Sequence, residues 1–187
     1  MIKFISLICV FLLSSSSFSE ETTKNHKIVT ILTSAGEIKV KLFQEESPVT
    51  VKNFLQYVDE DFYDGTIFHR VIPNFMIQGG GFRPGMIQKD TREPIINESR
   101  NRLHNVRGTI SMARTSHPDS ASAQFFINQR TNLRLDWSPG APGYTVFGEV
   151  ISGMDVVDWI ATAKTKSWGD FEDVPFVPIK IIDIHRN

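Results

Sequence analysis

Between Glu37 and Phe43 the apolar residues Ile38, Val40 and Leu42 alternate with Glu37, Lys39 and Lys41. Just upstream, Lys27 to Thr33 alternates Ile28, Thr30 and Leu32 against Val29, Ile31 and Thr33. Successive strand side chains point to opposite faces, so these segments, joined by the turn signal Ser34-Ala35-Gly36, predict an antiparallel hairpin with one wet side. The period then changes. After Ser47-Pro48, with Ser as N-cap and Pro at the first helical position, Val51, Phe54, Leu55 and Val58 recur at helical spacing. Strand-like runs return at 66–71, 75–79, 108–113, 123–128 and 144–150. A second helix is expected after Ser152 as its cap, with Val156, Trp159, Ile160 and Ala163 at the same spacing, and Val177 to His185 closes the chain as a strand. Residues 80–105, 114–122 and 129–143 and the stretch ending at Pro175 read as loops, and long loops inside a compact domain are usually functional. No repeat or linker divides the chain. Many short strands with one-sided alternation suggest a sandwich or a closed barrel.

The N-terminus follows another pattern. Lys3 supplies a positive start, Phe4 to Leu13 is apolar apart from Ser6, and Ser17-Phe18-Ser19 places small residues where a signal peptidase reads. The apolar run is too short to span a hydrocarbon layer of about 30 Å as a helix. Residues 1–19 therefore read as a secretory signal peptide, 20–26 as a polar arm and 27–187 as the folded domain. The expected location is the periplasm, with full secretion as the alternative.

Composition narrows the function classes. The 187 residues carry 20 Lys+Arg and 21 Asp+Glu, a net charge of -1, with 41% hydrophobic and 22% charged residues. That balance describes one soluble globular domain and lacks the basic excess of an electrostatic nucleic-acid binder, so no nucleic acid is expected as a partner. Signal cleavage removes the single Cys, Cys9, so the domain must hold itself by core burial without disulfides. No other segment is long and apolar enough for membrane insertion, and a monomer is expected.

Nucleophilic hydrolysis finds little support, because the mature chain has no Cys and no G-x-S-x-G elbow. The five His residues are scattered without metal-ligand spacing, so neither a metal nor a cofactor is expected. Gly79-Gly80-Gly81 lacks the Lys-Ser/Thr of a phosphate loop.

The informative run is Phe68-His69-Arg70-Val71-Ile72-Pro73-Asn74-Phe75-Met76-Ile77-Gln78-Gly79-Gly80. With Ser111-Met112-Ala113, Gln124-Phe125-Phe126-Ile127 and Val146-Phe147-Gly148, it resembles the cyclophilin family of peptidyl-prolyl cis-trans isomerases over nearly the whole mature chain. The 108–114 segment and Asp173-Val174-Pro175 resemble its bacterial branch. The resemblance implies a mainly β fold, a closed eight-stranded antiparallel barrel capped by two α-helices, with the groove on its outer surface. It implies Arg70 as catalytic residue, Phe75, Met76, Phe126 and Leu135 as the proline pocket, and Gln78 and Gln124 as polar contacts. Ala113 and Arg114 match the pair whose backbone lines the groove, where many relatives have Ala-Asn. Tyr144 falls where the best-known relatives carry His and bacterial ones often Tyr, either on the groove rim or in packing. Arg134 departs from the Trp or Phe of other members, which counts against tight cyclosporin-type binding. His69 is expected to be structural.

These residue types suit the chemistry. An X-Pro bond resists rotation by roughly 18–20 kcal/mol through amide resonance. Twisting makes the proline nitrogen able to accept a hydrogen bond, and a planar, permanently charged guanidinium can donate to it or to the adjacent carbonyl. Strand alternation sends Phe125 and Phe126 to opposite faces without saying which faces the core; the resemblance assigns Phe126 to the groove. The reading is an exported isomerase acting on proline-containing unfolded or flexible polypeptides. The alternative is a non-catalytic proline-peptide binding module or chaperone.

Overall fold

The computed structural model describes residues 27–187; the expected signal peptide and polar arm lie outside the described residues. In chain order the strands are β1 (Ile28–Thr33), β2 (Gly36–Leu42), β3 (Phe68–Ile72), β4 (Met76–Gly79), β5 (Phe82–Arg83), β6 (Ile87–Gln88), β7 (Thr109–Met112), β8 (Phe125–Asn128), β9 (Val146–Ser152), β10 (Thr165–Trp168), β11 (Phe171–Pro175) and β12 (Ile181–Arg186). Helix α1 (Pro48–Asp59) follows β2, and helix α2 (Met154–Ala161) follows β9. The expected first hairpin forms in register, with Val29 opposite Val40 and Ile31 opposite Ile38.

Eight strands form one antiparallel sheet in the order β12-β1-β2-β9-β7-β8-β4-β3. It curls around a core that includes Ile31, Ile38, Val40, Leu42, Phe68, Ile77, Ile110, Phe125 and Phe147, all fully buried. The expected closure is slightly too strong. The two edges meet at the bridge between Ile67 and Lys180, with Phe68 N donating to Ile179 O at 3.0 Å and Ile181 N to Thr66 O at 2.8 Å. Beyond that short seam β12 pairs with β1, and β11 packs beside β3.

Helix α1 turns Val51, Phe54, Leu55 and Val58 to the core, as its spacing predicts. Ser47 occupies the N-cap with Pro at N1, but its hydroxyl donates to Val146 O at 2.7 Å. The free N–H groups of the first turn go instead to Glu98, which accepts from Val49 N at 3.1 Å and Thr50 N at 2.8 Å. A carboxylate also suits the positive end of the helix dipole. Helix α2 differs from expectation. Its N-cap is Gly153, at φ +91°, where an added Cβ would collide with the Glu37 carbonyl, while Ser152 is the last residue of β9. Its buried residues are Val157, Ile160 and Ala161, and Trp159 is 61% exposed. Two overlapping stripes share Ile160, and the core takes the one containing Val157.

Candidate active site

Register places three of the expected residues in one row. Arg70 of β3 lies opposite Gln78 of β4, and Gln78 lies opposite Phe126 of β8. Their chain neighbours Val71, Ile77, Phe125 and Ile127 are fully buried in the core, so the row looks out from the other face of the sheet. Met76 shares that face two residues before Gln78. The row floors a cavity of about 450 Å³. Arg70, Phe75, Met76, Gln78, Ala113, Arg114, Gln124, Phe126, Leu135 and Tyr144 all line it, so the fold brings together every one of the ten residues singled out in the sequence.

Within the cavity the polar groups differ in how they are held. Gln78 Nε2 donates to Gln124 Oε1 at 3.0 Å. Gly81 leaves room for Gln124, because a Cβ there would collide with the Gln124 side chain. The Arg114 guanidinium is consumed by carbonyls, with Nε on Gly143 O at 3.1 Å, Nη1 on Thr115 O at 2.8 Å and Nη2 on Pro142 O at 2.5 Å. It also lies 4.5 Å from the Tyr144 ring centroid, and Tyr144 meets Phe126 edge-on at 5.6 Å. Arg114 is thus a clamp on the loop before β9. The Arg70 guanidinium, by contrast, makes no hydrogen bond among the described residues; it forms an ion pair with Asp173, with Nε 3.7 Å from Oδ2. Arg134 lies 5.2 Å over the Phe75 ring, and Trp137 sits under Arg100 at 5.1 Å, outside this cavity.

A buried amide network shapes the apolar side. Asn132 donates to Phe75 O at 3.0 Å and to Asn128 Oδ1 at 2.8 Å, and Asn128 donates to Asn105 Oδ1 at 3.2 Å. Asp136 accepts from Asn105 N at 2.7 Å and from its side chain at 2.9 Å. Burial pulls the Asp136 carboxyl upward, but these bonds and His104 outweigh it and hold the carboxyl below its ordinary range. Leu135 N donates to Asn132 O and Tyr144 N to Leu135 O, each at 2.9 Å, so the network positions Phe75, Leu135 and Tyr144 through their backbones.

Sequence reasoning missed one wall. Phe82 and the residues Asp170, Phe171 and Glu172 at the β10–β11 turn also line the cavity. The available signal was Gly169-Asp170 between two aromatics, a two-residue hairpin turn with Trp168 opposite Phe171. His69 also lines the cavity, 4.6 Å from the Phe82 ring, with Nδ1 buried and unpartnered. Burial lowers its pKa to about 4, and the Arg70 charge acts in the same direction. In the unfolded chain its imidazole takes a proton near pH 6.5, whereas in the folded protein it resists until about 4. Stability through this residue is therefore complete above pH 6.5 and is lost as pH falls toward 4, by up to about 3 kcal/mol. Thermal midpoints of wild type should fall across that window, and His69→Phe should flatten the fall. Equal slopes in the two proteins would show that His69 is not held neutral.

The site therefore combines an apolar floor, amide donors and a guanidinium, a combination suited to gripping a peptide and polarising a bond without a covalent step. Among the described residues, no group of three or more His, Cys, Asp or Glu could hold a metal ion. The family model described as "Cyclophilin type peptidyl-prolyl cis-trans isomerase/CLD" matches residues 28–186. The chain belongs to this family and is a peptidyl-prolyl cis-trans isomerase. Its relatives include a peptidyl-prolyl cis-trans isomerase of Acinetobacter baylyi, 54% identical over 157 residues covering 84% of each chain. Peptidyl-prolyl cis-trans isomerase A of Dickeya dadantii is 50% identical over 184 residues, covering 97% of this chain and 96% of that one. These bacterial relatives agree with the bacterial-branch resemblance. A crystal structure of a Cryptosporidium parvum cyclophilin-type isomerase superposes with a TM-score of 0.75 at 29% identity, covering 87% of this chain and 98% of the other. No helix among the described residues is long and apolar enough to cross a membrane.

Proposed function

We propose that the chain is exported, that residues 27–187 are its working domain after cleavage near Ser19, and that Arg70 catalyses rotation about X-Pro bonds in unfolded or flexible exported polypeptides. The observation that carries the reading is the row from Arg70 through Gln78 to Phe126 on one open face. Phe75, Met76, Phe126 and Leu135 hold the proline ring, so rotation falls on the residue before it. Gln78 and Gln124 donate to the peptide backbone, and the 113–114 backbone and Tyr144 close the rim. As the amide twists, the proline nitrogen becomes pyramidal and accepts a hydrogen bond from the Arg70 guanidinium, which costs no reorganisation because the donor is already in place. No cofactor takes part. Uncatalysed isomerisation takes tens to hundreds of seconds, so newly exported chains gain from such a catalyst.

Two variants divide the work in a protease-coupled proline-peptide assay. Phe126→Ala is expected to raise KM by about 10-fold with kcat within about three-fold, because it removes grip common to ground and transition states. Arg70→Lys keeps the charge but loses the planar fork, and it is expected to lower kcat by about 10-fold with KM little changed. If both variants moved the same constant equally, the division between pocket and guanidinium would be wrong. Export is tested by the mass of the chain recovered from the periplasmic fraction, expected to begin near Glu20; an uncleaved cytoplasmic product would refute it.

A further inference from the structure

The hairpin that borders Arg70 is irregular at one place. Thr165 pairs with Pro175 and Lys166 with Val174, but the next pair is Trp168 with Phe171. Ser167 alone therefore faces both Glu172 and Asp173, a β-bulge. Its hydroxyl donates to Glu172 Oε2 at 2.6 Å, and neither Glu172 nor Asp173 has a register partner. Asp173 sits at φ +60°, in the left-handed region that non-glycine residues rarely enter. Bulges bend a strand and re-aim a side chain, and they concentrate beside active sites. Here β11 packs along β3, and Asp173 Oδ2 faces Arg70 Nε at 3.7 Å.

Stability does not account for this arrangement. Both side chains are roughly two-fifths exposed, at 43% and 38%, and a screened pair of that kind contributes little to folding. Positioning does account for it. A long arginine side chain explores many rotamers unless something fixes it. The register neighbour Gln78 is engaged with Gln124, and Asp173 is the carboxylate that forms an ion pair with Arg70. Contact at Nε spares both terminal nitrogens for the peptide.

We propose that Asp173 is a positioning residue, which anchors Arg70 through Nε and orients the rest of the guanidinium toward the bound X-Pro bond. This rests on the reading of Arg70 as the catalytic group. Asp173→Asn and Asp173→Gly both tolerate a positive φ and both remove the charge. In the full mature protein each is expected to lower kcat by about 5- to 20-fold, with KM within about two-fold and the thermal midpoint unchanged. The Arg70 Nε–Hε resonance should shift in the 15N spectrum of the same variants. In an Arg70→Ala background Asp173→Asn should cause no further loss, because its effect passes through Arg70. Wild-type kcat in both Asp173 variants, with Arg70→Ala inactive, would overturn the positioning role alone. So would an equal loss from Asp173→Asn with and without Arg70. An Arg70→Ala protein as active as wild type would instead overturn the reading of Arg70, and this proposal with it.

Discussion

Replacing Arg70 with Ala is expected to reduce kcat/KM for a proline peptide by about 100-fold or more, with almost all of the loss in kcat. The amide barrier is roughly 18–20 kcal/mol, and a 100-fold loss corresponds to about 2.7 kcal/mol of it. That share suits one preorganised, charged donor acting on a nitrogen that becomes basic only as the bond twists. Binding should survive, because Phe75, Met76, Phe126 and Leu135, the proposed proline pocket, stay in place. Folding should survive too. The Arg70 guanidinium makes no hydrogen bond among the described residues, and its contact with Asp173 is a half-exposed ion pair. A protease-coupled assay at several substrate concentrations separates kcat from KM, and a melting curve checks the fold. A variant that kept more than about a third of wild-type kcat would show that the pocket and amides alone turn the bond.

The residues of the site were legible where they sit on strands or match an ordered motif. Alternation placed Phe125 and Phe126 on opposite faces, but period two carries no absolute direction, and only the resemblance assigned Phe126 outward. Phe125 lies in the core and Phe126 lines the cavity. Asp173 was not legible as a neighbour of Arg70. A bulge breaks the alternation by one residue, and nothing in local composition marks where that happens. Glu98 as the cap of α1 was hidden for a related reason, since its partners lie 48 and 49 residues away. The Asn105, Asn128, Asn132 and Asp136 network lies partly in segments without periodicity, where amides and carboxylates look like solvated loop residues until tertiary packing buries them. Arg114 illustrates the remaining gap. Sequence matching placed it on the groove, but only the carbonyls of Thr115, Pro142 and Gly143 determine that its charge is a clamp.

Phe125→Ala, one residue before the cavity-lining Phe126, is expected to lower the unfolding free energy by about 3–5 kcal/mol. The Phe125 ring is fully buried and meets three other rings edge-on: Tyr63 at 5.6 Å, Phe54 at 5.8 Å and Phe68 at 6.3 Å. Truncation loses the transfer free energy of the ring and leaves a cavity bounded by rings drawn from α1, the following loop and β3. These elements meet from three directions, so the site cannot collapse by moving one of them. Domains of this size hold about 5–15 kcal/mol in total, so the variant should remain folded at 25 °C but melt about 10 °C lower. Its kcat/KM at 25 °C should stay within a few-fold of wild type, because Arg70, Gln78 and Phe126 face the other side of the sheet. Phe126→Ala should show the opposite division, with KM raised and stability lowered by less. Denaturant unfolding and peptide kinetics on both variants test the pair together. Should Phe126→Ala be the one that loses 3–5 kcal/mol, with Phe125→Ala within about 1 kcal/mol of wild type, the two faces of β8 would be interchanged. The row from Arg70 to Phe126 would then point into the core, and the proposed proline pocket would have to be sought elsewhere.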